Sequence, residues 1–391
     1  MILTKGQAQA LKLFDSGENL LLLGDPGTGK STLISAIVQR AEQRGKRVAK
    51  TASTGIAAQL IGGRTIHSLL QAYPGKRDET IDYEKKASNL EEVEVLIIDE
   101  ISMLGKFFIQ YLYECLKHVG HHVQLIVSGD FFQLPPVKDN YAFLSPCWKL
   151  LDLVPCILTE VIRQKDAEFV RNIQLLKFGN DQCIDYLLSH SSSTALSGQI
   201  SICATKRDAD LINHSAMEKL AGKSFMYLAE YEGVIEEADL QVEKCMILKA
   251  GMRVMSVING IGYSNGSLGT VVSLDPFSVE VLFDNSWRVC FGRKNFTIDR
   301  RDIPGKTTEL WQIPVRPAYA ITIHKSQGQT FQYVNIDGTK CWAPGQLYVA
   351  VSRACKIEGI HFLTPIKQCN IKTDPVVVRF YEQLERTVKR V

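Results

Sequence analysis

Along most of the 391-residue chain, short and nearly continuous apolar runs alternate with longer segments of helical period. The runs at residues 20–23 (LLLL), 48–52 (VAKTA), 95–98 (VLII) and 123–130 (VQLIVSGD) each end in a turn of small or acidic residues. Helix-like spacing follows several of them, as in LISAIVQRA after residue 32. Apolar runs of about 4–8 residues without alternation suit strands buried on both faces, and strands interleaved with helices call for a parallel sheet. The same idiom restarts near residue 154 (PCILTEVIRQ), continues at 200–220 (ISICATKRDADLINHSAMEKL), and returns at 317–365 with PAYAITIHKSQGQT, VNID and GIHFLTP. A last helix is predicted over 374–388.

Two segments break this pattern. From about 68 to 92 the chain turns polar and poorly periodic (YPGKRDETIDYEKKASNLEE), which predicts a small projecting insertion. From 248 to 315 short alternating runs (LKAGMRVMSV, GSLGTVVSL, SVEVLF, SWRVCFG) are separated by Asn/Gly turns, the signature of a small antiparallel barrel. The expected fold class is therefore α/β: a first parallel-sheet unit over 1–153, a second over 154–247 and 316–391, and an antiparallel insert between the halves of the second.

Composition narrows the picture only slightly. Hydrophobic residues are 45% and charged residues 22%, as in an ordinary globular protein, and no apolar run approaches the roughly 18 residues of a membrane-spanning helix. A net charge of +3 means that any nucleic-acid surface must be local. Ten scattered cysteines without a Cys-x-x-Cys pair fit free thiols better than disulfides, structural zinc or an iron–sulfur cluster. The N-terminus carries no export or organelle signal, so an intracellular, membrane-free protein is expected.

The chemistry starts at residues 19–32, NLLLLGDPGTGKST. A strand that breaks into G-x-x-x-x-G-K-S before a helix is a phosphate loop. Gly24, Gly27 and Gly29 let backbone N–H groups converge on a polyphosphate, Lys30 supplies a point charge, and the Ser31 hydroxyl can ligate Mg²⁺. Thr28 and Thr32 complete the expected nucleotide contacts. Asp25 puts a negative charge into this loop and is compatible with phosphate only if its side chain faces away. Asp99 and Glu100 close the strand at 95–98, where open α/β sheets keep their ligands: Asp99 to hold the metal, Glu100 to orient and deprotonate water. The same acids could merely cap the next helix. Gln7, on a helix face with Leu11 and Phe14, could read an adenine edge or be simply solvated. In SGDFFQLPPV, Gln133 could sense a γ-phosphate while Phe131 and Pro135 meet bases, or a rigid Pro-Pro turn could pack its aromatics inward. Arg163 follows a strand and could reach across a cleft, or form a surface pair. The hydroxyls of the STG turn after residue 52 and the guanidinium, hydroxyl and imidazole of Arg64, Thr65 and His67 suit a phosphate backbone. His118, His121 and His122 surround a glycine and lack the spacing of ligands on one helical face, so a solvent-facing turn is expected there.

In order, the chain carries GDPGTGKST, TASTGIAA, IIDEISM, SGDFFQLPPV, EVIRQ, AITIHKSQGQTF and LYVAVSRA. That set resembles the superfamily 1B DNA helicases, closest to the Pif/RecD-like families and the small phage Dda-like enzymes. The resemblance implies two RecA-like lobes with ATP and Mg²⁺ between them, single-stranded DNA across the top, a wedge insertion in the first lobe and a small barrel inserted in the second. It implies a monomer that moves 5′ to 3′ and opens forked duplex DNA. It also assigns residues: Gln7 to the adenine, Lys30, Ser31 and Gly328 to the nucleotide, Asp99 and Ser31 to the metal. Glu100, Gln133, Arg163 and Arg353 fall to catalysis, the two arginines as fingers on the transferring phosphoryl group. Thr54, Thr65, His67, Phe131, Pro135, Thr322, His324, Lys325 and Ser326 fall to DNA. The rival readings are a DNA-stimulated P-loop ATPase switch that separates no strands, and a nucleic-acid-binding module without turnover.

Overall fold

The computed structural model describes residues 3–72, 81–194, 198–235, 240, 242–299 and 307–388. Part of the expected wedge, 73–80, lies outside the described residues, as does 300–306 of the expected barrel.

Six strands build the first sheet: β1 (Asn19–Gly24), β2 (Val48–Ala52), β3 (Arg64–Thr65), β4 (Val95–Asp99), β5 (Gln124–Gly129) and β6 (Leu153–Leu158). They run in the order β3-β2-β4-β5-β1-β6, all parallel. β1 lies between two neighbours and is buried along almost its whole length, which is why its sequence is an unbroken leucine run. Leu20 and Leu22 face the core under the helices Lys5–Asp15 and Lys30–Gln43, whereas Leu21 and Leu23 join the larger core on the opposite face.

β6 corrects the expected boundary at 153/154. The apolar run read as a fresh start pairs in register with β1 from Asn19↔Leu153 to Gly24↔Leu158 and completes the first sheet, because β1 otherwise leaves an open edge. The chain crosses to the second lobe only after Leu158.

The second sheet is also parallel, in the order Ala320–Thr322, Ser201–Cys203, Val334–Ile336, Ile360–Phe362. Two RecA-like lobes result. Between helix Lys206–Glu218 and Ala320 the strands pair antiparallel, as alternation predicted, but the pairing starts earlier than 248. Phe225–Leu228 pairs with Cys245–Leu248, Glu230–Tyr231 with Thr307–Gln312, and Thr307–Gln312 with Lys294–Asp299. A five-stranded sheet, Arg288–Phe291 through Val315–Pro317, completes the insert. The lobes are joined by the last helix, Pro375–Val388, whose Phe380 and Tyr381 pack against Phe131 and Phe132 of the first lobe. Among the described residues no helix is long and apolar enough to cross a membrane.

Candidate nucleotide site and nucleic-acid surface

The phosphate loop follows β1 and ends at Gly29, which caps helix Lys30–Gln43 with φ 80°. Lys30 Nζ donates to the carbonyls of Gly24 (2.6 Å) and Asp25 (3.1 Å), so the cation sits over the inner face of the loop. Ser31 and Thr32 are exposed at the helix start, beside the free N–H groups that make such a terminus attractive to phosphate. Thr28 is buried and its hydroxyl donates to Asp25 O at 2.8 Å, bracing the loop from inside. Gln7 is 1% exposed; its Nε2 donates to Thr28 O and Gly29 O at 3.4 and 3.3 Å, and its Oε1 accepts from Thr4 N. Its amide thus latches the loop to the first helix.

Asp25 does face away from the cradle. Its carboxylate accepts from Lys177 Nζ at 2.6 Å, from Gln174 Nε2 and from Tyr348 Oη at 3.3 Å, all contributed by helices Ala167–Lys177 and Gln346–Ser352. Burial alone would raise its pKa, but the charge and hydrogen bond of Lys177, helped by Gln174 and Lys30, outweigh it and hold the group below the usual carboxylate range.

Asp99 and Glu100 stand at the end of β4. Burial raises the pKa of Asp99, opposed by the Glu100 N–H (3.0 Å) and the Lys30 charge. Glu100 is raised by burial and then by Asp99, against Lys30 and Arg353. Its backbone is left-handed, φ 55°, ψ 48°, a conformation a non-glycine residue adopts at a cost and keeps when the surroundings hold it. Here Ser53 Oγ donates to its carbonyl at 2.8 Å. Its carboxylate Oε2 accepts from Gln327 Nε2 of the second lobe at 2.9 Å.

Residues from beyond β6 close over the loop. Ile162 N and Arg163 N both donate to Gly27 O, at 2.7 and 3.3 Å, and a Cβ on Gly27 would meet Arg163 Cβ at 2.5 Å, so only glycine fits. Arg163 Nη1 donates to Ser352 O at 2.9 Å. Arg353 is 2% exposed, its guanidinium fixed by Val349 O, Gln329 O and Ser352 Oγ, and burial with Arg163 nearby pulls its pKa down to about 9. Gln133 is buried; its Nε2 donates to Asp130 Oδ2 at 3.4 Å and its Oε1 has no partner among the described residues. Asp130 also accepts from Tyr348 Oη at 3.0 Å. Gly345, with φ 77°, lets the start of helix Gln346–Ser352 touch the first lobe: a Cβ there would lie 2.5 Å from the carbonyls of both Phe132 and Gln133.

The residues expected at DNA divide. Thr54, Thr65 and Thr322 each accept a backbone N–H three residues on (3.2, 3.1 and 3.2 Å), which leaves the hydroxyl proton to donate outward. His67 packs on Phe108, centroids 4.6 Å apart. His324 is exposed, Pro135 and Lys325 half-buried; Gly328, expected at the nucleotide, is exposed as well. Two expectations are overturned. Phe131 is fully buried, edge-on to Phe143, Trp148 and Phe380, so the inward-packing alternative holds and no base can reach it. Ser326 is fully buried and its hydroxyl donates to Ile323 O at 2.8 Å, closing its own turn.

Sequence reasoning missed Gln327, Lys177, Tyr348 and Arg316. Arg316 is 5% exposed and lines, with Thr322, Lys325, Lys206, Asp210 and Glu243, a cavity of about 910 Å³ between helix Lys206–Glu218 and the insert. Burial pulls Arg316 down to about 10, with Glu243 opposing. An arginine inside the apolar stretch IPVRPAYAI was the available signal.

Fold and cleft together define a two-lobed P-loop ATPase. The chain matches the AAA domain family over residues 2–196 and the UvrD-like helicase C-terminal domain family over 317–356. It is 32% identical to the ATP-dependent DNA helicase Pif1 of Bdellovibrio bacteriovorus over 98% of this chain and 92% of the relative, and 30% identical to human PIF1 over 98% of this chain and 64% of that protein. Among solved structures it superposes on Pif1 helicase from Candida albicans with a TM-score of 0.83 at 29% identity, covering 98% of this chain and all of that one. It superposes on a Bacteroides Pif1 in complex with ADP-AlF3 and single-stranded DNA with a TM-score of 0.77 at 29% identity, covering 99% of this chain and 98% of that one. The chain belongs to the Pif1 family of ATP-dependent DNA helicases.

Proposed function

We propose that this helicase hydrolyses ATP between its lobes and moves 5′ to 3′ along single-stranded DNA, opening forked duplex ahead of it. The observation that carries the reading is convergence across the cleft. Lys30, Asp99 and Glu100 come from the first lobe, and the charges of Arg163 and Arg353, from beyond β6, act on Glu100 across the boundary, so a phosphoryl group held by the loop meets charge from both sides. Glu100 takes the proton of the attacking water, and its raised pKa moves it toward the basicity that role requires. Arg163 and Arg353 neutralise charge that grows in the transition state, and Gln133 senses the γ-phosphate. Gln7 orders the loop from inside, beside the place the adenine would take.

Mg²⁺ fits the donors present: the exposed Ser31 hydroxyl and the buried Asp99 carboxylate, whose ionised form a cation would favour. When bound it supplies Lewis-acid charge on the phosphates. DNA lies over both lobes, on the proton-donating hydroxyls of Thr54, Thr65 and Thr322 and on His67, Pro135, His324 and Lys325, with Arg316 set in the cavity below. These groups address phosphate more than base edges, so binding is sequence-tolerant and salt-dependent. One chain carries the whole set, so a monomer suffices for turnover.

Strand displacement on duplexes bearing a 5′ or a 3′ single-stranded tail tests this. Unwinding is expected for the 5′-tailed substrate; unwinding of only the 3′-tailed one overturns the polarity. If single-stranded DNA fails to stimulate hydrolysis at low salt, the motor reading gives way to the ATPase switch.

A further inference from the structure

Gln327 touches the carboxylate proposed as the general base, and it does so from inside the turn proposed to hold DNA. Three observations define its position. It is 7% exposed, and Nε2 donates to Glu100 Oε2 across the lobe boundary at 2.9 Å. Its own backbone belongs to the turn: Gln327 N donates to His324 O, Gln329 N to Ser326 O, and the intervening Gly328 is exposed at φ 79°. That exposed glycine abuts the first lobe, because a Cβ on it would lie 3.0 Å from Leu60 Cδ1, at the end of the helix that Thr54 caps. The turn at 322–328 is therefore wedged between the surface given to DNA and the base, and Gln327 is its inward-facing residue.

A carboxylate that accepts a hydrogen bond from an amide has one oxygen occupied and its plane held toward the donor, away from any other position it could take up. The amide Oε1 of Gln327 is buried with no partner among the described residues, so this contact is the one polar interaction that the side chain makes there. We propose that Gln327 is a positioning residue that holds the Glu100 carboxylate toward the second lobe in the DNA-free protein, and that DNA drawn onto the 322–328 turn releases it, so that Gln327 sets how strongly hydrolysis depends on DNA. The inference rests on the proposed roles of Glu100 and of the turn. It adds the side chain that connects them, in a place where the two partners come from different lobes and lie 227 positions apart along the chain.

The test is steady-state ATP hydrolysis by Gln327→Met, which keeps the length and removes the donor, and by Gln327→Asn, whose amide is one methylene too short to reach. Each is assayed without DNA and with saturating oligo(dT), alongside Glu100→Gln and with oligo(dT) affinity measured by fluorescence anisotropy. The expected result is a DNA-free kcat that rises roughly 10- to 100-fold in both variants, since a hydrogen bond to a charged acceptor is lost. The DNA-stimulated kcat, the KM for ATP and the affinity for oligo(dT) stay near wild type, so the stimulation factor shrinks by the same ratio. A residue needed only for packing would lower both rates together and raise the KM. A DNA-free rate that is unchanged or reduced in the folded variants overturns the proposal while leaving the helicase reading intact, provided Glu100→Gln is inactive. An active Glu100→Gln overturns the proposal by removing its premise, the role of Glu100 itself.

Discussion

Severing the contact between Asp25 and Lys177 should cost stability far beyond a surface pair, and the structure sets the size. The two side chains are 15% and 9% exposed and 2.6 Å apart. At an effective dielectric constant of about 20 the gross attraction at that distance is about 6 kcal/mol. Desolvation of both ions cancels much of it, so the relevant quantity is the cost of leaving one charge behind, about 3–5 kcal/mol for a buried pair. Lys177→Met leaves Asp25 with Gln174 and Tyr348 as neutral donors, which softens the loss to about 3 kcal/mol. Asp25→Asn leaves Lys177 over the rings of Phe132, Phe178 and Tyr381, 4.5 to 5.5 Å from their centroids, and cation–π attraction brings that cost to about 2 kcal/mol. Urea unfolding of both single variants and the double variant at neutral pH is expected to give a coupling of about 2 kcal/mol. The acid limb supplies a second readout. Asp25 has its folded pKa depressed, so its contribution is present above the unfolded value of about 3.9 and is lost as pH falls through the folded pKa. Lys177→Met should flatten that dependence. Single costs below about 0.5 kcal/mol that simply add would refute the electrostatic account and reduce the contact to packing.

Lys30→Ala should abolish turnover through loss of nucleotide binding and Glu100→Gln through loss of the base, each by roughly 10²-fold or more, with Glu100→Gln alone still retaining ATP in a filter-binding assay. Arg353→Ala should lower kcat by roughly 10³-fold with little change in nucleotide affinity; the opposite pattern, affinity lost at constant kcat, would mark it as a ground-state contact. Lys325→Ala should weaken binding of single strands of any sequence alike and reduce the slope of log affinity against log salt by about 1, whereas an unchanged slope would remove it from the phosphate track. Phe131→Ala should cost about 3–5 kcal/mol of stability, as expected for a fully buried aromatic, while oligo(dT) affinity measured on the folded fraction stays constant.

Local chemistry was readable without coordinates. The phosphate loop needs only a strand, glycines at fixed offsets and a helix start, all within residues 19–32, and the acids after residue 98 sit where a parallel sheet ends whatever its neighbours are. The parallel and antiparallel regions were likewise legible, because strands buried on both faces and strands buried on one leave different periodicities. Partnership was not. The run at 153–158 reads equally well as the start of a second lobe or as the edge of the first, and only the open side of β1 decides. SGDFFQLPPV does not say which way Phe131 points; the docking of Phe380 from the last helix, nearly 250 residues later, turns it inward. Ser326 shows the same limit at short range, since a hydroxyl in a turn can donate to DNA or to the turn, and its burial settled the matter.

The sequence by itself determined that this chain binds a polyphosphate, carries a pair of acids beside it and stacks strands in parallel, because each of these depends on residues close together along the chain. The tertiary structure alone decided what lies across the cleft: Lys177 and Tyr348 on Asp25, Arg163 over Gly27, and Gln327 on Glu100, partners separated by 152, 323, 136 (163 − 27) and 227 positions. Contacts at such separations are specified by how two lobes pack and leave no periodic trace in either partner's neighbourhood.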